Sequence, residues 1–321
     1  MDPSIYPRLN GGSVRKRPLR TRIWMNKETY FLLLPGLVWF FIFAYMPMGG
    51  LILAFKSYNA SLGIWKSPFI GFENYEYVFT DPAFFNAIGN TLLISSLRVV
   101  IQFPIPIILA LFINEVRVRY LKRPLQTVYT FPHFLSWIIV AGIMNNVFAM
   151  DGFINGIIQA LGGQPVGFLS DGDTMFILLY VTDIWKSSGW SAIIFLAAIA
   201  SIDSEQYDAA MVDGASRFKQ MLHITIPSIL PTISVMLVLR IGTLMYAGFD
   251  QIFNMTNPVV QQKIDILDTY IYRITFERTP DFGFSTAISL MRSVVNFILI
   301  VFANYSAQRL SGSGLFATSS S

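Results

Sequence analysis

The chain has 321 residues, 54% of them hydrophobic and only 13% charged, with a net charge of +4 and no cysteine. A mean hydropathy of +0.53 and recurrent charge-free runs of about 20 residues exclude an ordinary soluble domain and define a polytopic membrane protein. The lack of cysteine removes disulfides, thiol nucleophiles and Cys-ligated metals, and leaves the redox compartment unmarked.

A basic tail, residues 1–27, carries Arg8, Arg15, Lys16, Arg17, Arg20, Arg22 and Lys27. Attraction to anionic lipid, about 1 kcal/mol per basic residue near the surface, accounts for it without a more specific partner. The apolar run that follows is too long for a cleavable leader and has no small-x-small site after it, so it is read as an uncleaved first span, 30–55. Pro35, Pro47 and the pair Gly49-Gly50 predict kinks or a broken end there. A second span is predicted over 84–113, with Arg98 inside it and Pro104 and Pro106 in its later half. The others fall at 125–148, 174–200, 224–252 and 287–305. The expected fold class is therefore all-α with six transmembrane helices. One membrane domain, 28–310, leaves no room for a soluble catalytic domain, and a low-complexity tail, 311–321, closes the chain.

Lysine and arginine set the orientation. They concentrate in the N-terminal tail, in the loop between spans two and three (Arg117, Arg119, Lys122, Arg123) and in the loop between spans four and five (Arg217, Lys219). The alternate loops are poorer: Lys56 and Lys66 face Glu73, Glu76 and Asp81, residues 149–173 hold only acids, and Lys263, Arg273 and Arg278 face four acids. Both termini and the loop 201–227 are thus expected in the cytoplasm.

That loop, SIDSEQYDAAMVDGASRFKQMLHITIP, is too patterned for a plain connector. Asp203 suits an N-cap, with Gln206 three positions on, and predicts a short helix from Ser204. Ala209 and Ala210 permit close approach of another surface, and Gly214 can take a positive φ and reverse the chain. Arg217 to His223 then form a second turn leading into span five through Pro227. On residue chemistry alone the segment is either a docking knob or a cap on a helical hairpin.

The spacing of Asp208-Ala209-Ala210, Gly214 and Ile224-x-Ile226-Pro227 resembles the EAA loop of permease subunits of bacterial ATP-binding cassette importers, with Asp208 where the family has glutamate and Ile226 where it has leucine. GFENYEYVFTDPAFFNAIGNTL, DIWKSSGWSAIIFLAAIASID, GFDQIFNMTNP and IDILDTYIYR extend the likeness from about Gly71 to Asn304, into the saccharide branch and toward permeases of polymeric sugars such as alginate. The resemblance implies a type I importer permease fold and a second, homologous permease subunit in the bacterial inner membrane. It also implies two cytoplasmic ATPase subunits that hold the ATP and Mg, and an extracytoplasmic solute-binding protein that delivers the saccharide. Glu205, Tyr207, Asp208, Ala209, Ala210, Asp213, Gly214 and Pro227 then become the ATPase-coupling residues, with Asp208 as polar anchor and Gly214 as pivot. No cofactor is expected on this chain and no nucleic-acid partner. The motif GxxxxGK[ST] is missing, so ATP hydrolysis belongs to other subunits and the chain is not itself an enzyme.

Charges inside spans cost about 2.5 to 3.5 kcal/mol on insertion scales and so mark the bundle interior or a wet cavity. Asp183 and Lys186 either pair across one helical turn or line a substrate path. Arg240 and Arg292 either grip a carboxylated sugar or pack against backbone carbonyls or Asp250. Trp190, Tyr246 and Phe249 are candidates for stacking on sugar rings, against core packing as the plainer role. His133 and His223 have no metal-ligand spacing and are read as structural, and Asp171-Gly172-Asp173 as an exposed turn rather than a calcium loop. Two other classes remain open: an ion-coupled secondary transporter, for which Asp183 is the intramembrane carboxylate, and a membrane glycosyltransferase, for which only the scattered acids of 265–281 serve.

Overall fold

The computed structural model describes residues 24–116, 118–277 and 280–311, without the side chains of residues 119, 310 and 311. The basic tail through Arg22, Arg117, Arg278, the Arg119 side chain and the low-complexity tail from residue 312 lie outside the described residues.

The chain divides into two units after Ile52. In the first, α1 (Lys27–Phe40) runs through a wide π turn, Phe41–Tyr45, into a tightened 3-10 stretch, Met46–Phe55, whose residues from Leu53 on belong to the second unit. Pro35 sits inside α1, and the changes of pitch fall between Pro35 and the Pro47 and Gly49-Gly50 region, as their missing donor and backbone freedom predict.

The second unit holds the remaining spans. Asp81 caps α2 (Pro82–Leu97) by accepting from the Ala83 amide at 2.8 Å, with Pro82 in the first turn. The helix widens into a π turn at Arg98–Gln102, where the Phe103 amide reaches back to the Arg98 carbonyl at 3.1 Å, and continues as α3 (Pro104–Glu115). Pro104 has no N–H to offer, so the wide turn ends where the ladder loses a donor.

The predicted third span, 125–148, is two helices. Amphipathic α4 (Arg119–Thr130) gives way to a 3-10 turn at Phe131–Phe134, and α5 (Trp137–Phe148) restarts at Ser136, whose hydroxyl accepts from the Ile139 amide at 3.3 Å. Pro132 removes the donor that would carry the helix on, and an N-cap serine then favours a new start. α6 (Gly172–Ala200) is 29 residues long and begins at Asp171, which accepts from the Thr174 amide at 2.8 Å and hydroxyl at 2.6 Å. Asp171-Gly172-Asp173 is thus a helix start rather than a free turn. The two bonds from Thr174 hold the Asp171 carboxyl below the usual carboxylate range.

After the loop helices α7 (Ser204–Val212) and α8 (Arg217–Gln220), a π turn at Met221–Thr225 leads into α9 (Ile226–Gly242). The predicted fifth span, 224–252, stops ten residues short: the helix ends at Gly242, Gly248 takes φ +87°, and α10 (Phe249–Met255) is a separate piece. A residue in that left-handed region cannot continue a right-handed helix. α11 (Leu267–Tyr272) and α12 (Phe282–Ser311) complete the chain. Among the described residues five helices are long and apolar enough to cross a membrane, and six when Gly172–Ala200 and Ser204–Val212, bent by 69°, count as one span.

α6 packs along α3, and α9 along α12. Nearest the loop, Ala110, Phe195, Ile199 and Ile229 form one buried cluster, while Ile94, Leu179, Ile252 and Ile264 form another and Phe84, Leu267, Tyr270 and Ile288 a third. Large apolar side chains such as Val100, Phe112, Ile138 and Phe297 point outward, as faces that meet lipid or another helix require.

Candidate functional site

Asp203 caps α7 by accepting from the Glu205 amide at 3.0 Å. The helix ends in a Schellman motif: the Gly214 amide donates to Met211 at 3.1 Å and the Ala215 amide to Ala210 at 2.9 Å, with Gly214 at φ +71°. Ser216 then caps α8 through the Lys219 amide at 3.4 Å. The Tyr207 hydroxyl meets Thr225 Oγ1 at 2.9 Å, so this residue turns inward and fixes the knob to the start of α9. Arg217 pairs with Glu115, at the end of α3, at 3.0 Å. His223 is structural, its Nδ1 lying 3.0 Å from the Lys219 carbonyl. Glu205, Asp208, Ala209, Asp213 and Pro227 are exposed, Ala210 half-buried. Between them stand Met211, Val212 and Phe218, 57%, 88% and 64% exposed. The residue pattern does not single out these three, because the exposure of Met211 and Val212 follows from the 69° bend between α6 and α7, and that of Phe218 from the placing of α8 after the turn at Gly214.

A cavity of about 390 Å³ opens between spans two, four and five. Gln102, Phe103 and Pro106 form one wall, Asp183, Ser187, Ser188 and Ser191 a second, and Met236, Arg240 and Thr243 the third. Ser187 donates to Asp183 at 2.9 Å. Behind this wall Arg98, 5% exposed, holds three elements: its guanidinium donates to the Ala247 carbonyl at 2.5 Å and to Gln251 Oε1, and its Nε lies 3.8 Å from Asp183. Gln251 in turn donates to the Leu179 carbonyl at 2.6 Å and to Thr182 at 2.8 Å. Arg98 therefore locks the break in span five onto span four. Arg98 is the ion-pair partner of Asp183, and Arg240 is the cation left facing the cavity.

The other path candidates lie elsewhere. Asp183 and Lys186 do not pair with each other; the Lys186 ammonium donates to the His133 carbonyl at 2.8 Å and sits 5.3 Å from the Trp137 ring. Trp190 stacks on His133 at 4.7 Å and 3°, half-exposed but outside the cavity. Arg292 forms an ion pair with Asp268 and lies over the Tyr246 ring at 4.3 Å, rather than binding Asp250 or facing the cavity. Phe249 belongs to a run of rings with Phe253 and Tyr272. Of the path candidates, Arg292 is held in an ion pair, Asp183 by Arg98 and Lys186 by a carbonyl, which leaves Arg240 facing the cavity, a distinction that only the fold makes.

The rival chemistries lose their residues at this point. Asp265 is tied to Arg273 by two hydrogen bonds of 3.1 and 2.5 Å that hold the guanidinium's pKa above its ordinary value, Asp268 to Arg292, and Asp281 caps the Phe284 amide at 2.9 Å. Among the described residues of 265–281 no acidic pair is left to activate a sugar, and Asp183, the carboxylate an ion-coupled carrier needs, is paired with Arg98. Among the described residues no group of three His, Cys, Asp or Glu is placed to hold a metal.

Apolar helices that enclose a polar cavity, with a capped knob fixed to two of its walls, define a multi-pass transport permease. The chain belongs to the family of inner membrane components of binding-protein-dependent transport systems, whose model matches residues 102–312. It is 46% identical over 292 residues to protein LplB of Bacillus subtilis, covering 91% of this chain and 92% of that protein. It is 37% identical over 303 residues to the polygalacturonan/rhamnogalacturonan transport system permease protein YteP of the same organism, covering 94% of each. The fold matches a chain of a bacterial alginate ABC transporter in complex with an alginate pentasaccharide-bound periplasmic protein. That match has a TM-score of 0.85 and 36% identity over 92% of this chain and 99% of the other. The type I importer permease fold expected from the loop is thereby the fold found.

Proposed function

We propose that the chain is one of two permease subunits of an ATP-driven importer that carries an oligo- or polysaccharide across the bacterial inner membrane. An extracytoplasmic binding protein delivers the sugar, and two separate cytoplasmic ATPase subunits bind the ATP and Mg. The observation that carries this reading is the attachment of the knob. Arg217 ties it to the span bearing Gln102 and Phe103, Tyr207 ties it to the span bearing Arg240, and both spans wall the cavity. A displacement of α7 therefore reaches the cavity without passing through a loose linker. Met211, Val212 and Phe218 offer the apolar contact an ATPase cleft needs, with Asp208 as its polar anchor. Both termini then lie in the cytoplasm.

Relatives named for polygalacturonan, alginate and lactose support a sugar as cargo, and Arg240 favours an acidic one. The path residues are then Asp183, Arg240 and the serines beside them. Uptake into vesicles by the complete transporter tests the reading: it should require ATP and survive an ionophore, whereas uptake that runs without ATP and collapses with the ion gradient contradicts it. Within that assay Arg240→Glu should lower uptake of a galacturonan oligosaccharide about tenfold more than that of a neutral maltooligosaccharide, since loss of a charge-assisted contact costs about 1.5 to 3 kcal/mol. Equal loss for both sugars would make Arg240 structural.

A further inference from the structure

A second cavity, of about 200 Å³, lies between α10 and α11. Its walls include Phe253, Thr256, Gln261, Tyr272 and Glu277, with the Asp265–Arg273 ion pair at its base. At about 30 Å³ per water that is the volume of about seven waters or of one group of comparable bulk. The span Arg217–Gly242, which starts with the knob's α8 and runs toward this region, has 26 residues, about 39 Å at about 1.5 Å per residue. The cleft and the knob therefore lie on opposite faces of the membrane.

The lining combines two kinds of surface. Phe253 and Tyr272 meet edge to face at 4.8 Å, and the row continues through Phe276, 66% exposed, at 5.3 Å from Tyr272. Against these rings stands Thr256 Oγ1, buried with no hydrogen-bond partner, an arrangement that costs stability unless something else supplies the bond. The Gln261 amide and the Glu277 carboxylate add donors and acceptors, while Asp265 and Arg273 are consumed by each other. An apolar face beside unspent polar groups fits a ring that is apolar on its C–H face and hydroxylated at its edge. Asp265 and Glu277 against the single guanidinium of Arg273 disfavour a carboxylate inside the cleft, so a ring enters by its hydroxylated edge, with the carboxylate of an acidic saccharide turned outward.

We propose that this cleft binds one sugar ring of the arriving saccharide, at a station on the extracytoplasmic face distinct from the cavity that Arg240 lines. The site rests on the saccharide-importer reading above, and the chain's lack of cysteine makes a direct test possible. Gln261→Cys places a single thiol in the cleft; Val259→Cys places one on a residue that is 72% exposed and outside the lining. The transporter, purified with its co-purifying subunits and reconstituted in vesicles, is given trigalacturonate, alginate pentasaccharide or maltotriose. Maleimide modification of each variant and ATP-driven uptake are read side by side. The sugar that is taken up should slow modification of the Gln261→Cys thiol at least about fivefold and leave the Val259→Cys thiol unchanged. Adding Thr256→Val, which removes only the unpartnered hydroxyl and keeps the shape, should raise the half-protecting concentration about fivefold. A sugar that is taken up without protecting the thiol, or that protects both thiols equally, overturns the cleft and leaves the importer reading intact. ATP-driven uptake of none of the sugars, with no protection, overturns both. Protection without uptake retains the cleft and removes the transport reading.

Discussion

Arg98→Leu is expected to abolish uptake and to destabilise the folded chain by about 3 to 5 kcal/mol, the usual cost of leaving one member of a buried ion pair alone. Three losses coincide at that residue. Asp183 keeps its charge inside the membrane without a countercharge, the Ala247 carbonyl loses its donor, and Gln251 loses the group that orients it toward Leu179 and Thr182. The break after Gly242 is then no longer held against α6. Arg98→Lys retains the charge but not the fork that reaches Ala247 and Gln251 together, so it should recover stability in part and uptake little. Asp183→Asn placed in the Arg98→Leu background removes the orphaned charge and should recover about half of the lost stability. Thermal unfolding of the purified protein in detergent reads these differences. Equal stability of wild type and Arg98→Leu would show that the pair does not hold the bundle.

Gly189→Ala is expected to have the next largest effect. A Cβ built there lies 1.9 Å from the Tyr129 carbonyl oxygen and 2.6 Å from its carbon, where α4 ends against α6. Those atoms are backbone and cannot turn aside, so one methyl group must push two helices apart, at a cost of about 1 to 3 kcal/mol or more. The yield of folded protein and its unfolding temperature should both fall. Gly89→Ala, by contrast, meets nothing within 4 Å on α2 and should leave both unchanged or slightly raised. A fall of the same size in both variants would place the defect in insertion rather than in packing.

Much of the architecture is written in the residues. Hydropathy locates the spans because lipid demands a long apolar run, and the loop helix follows from Asp203, Gly214 and the small residues between them. The failures share one cause. Hydropathy continues smoothly through Pro132 and through Gly248, whereas the backbone does not: α4 stops where the donor is missing, and α9 stops before a glycine at φ +87°. The charged residues show the same limit. Asp183 and Lys186 stand three apart on one helix, which predicts a pair, yet neighbouring helices offer Asp183 a guanidinium and Lys186 a carbonyl. Pairing across helices depends on which faces meet, and sequence spacing carries no record of that. Arg240 and Arg292 are equivalent as letters and differ only because Asp268 lies within reach of one. Ser216 could have been found, since a serine ahead of a short helix is an N-cap signal.

The decisive measurement is the ratio of saccharide taken up to ATP hydrolysed by the complete reconstituted transporter carrying Gly214→Val. Gly214 has open space around its missing side chain, so valine there acts through the backbone alone, straining the left-handed turn by about 1 to 2 kcal/mol and misaiming α7. The expected result is retained ATP hydrolysis with uptake per ATP about tenfold lower, and recovery in Gly214→Asn, because asparagine tolerates that conformation. Uptake per ATP at the wild-type ratio in Gly214→Val would contradict the assignment of residues 201–227 as the element through which ATP drives transport.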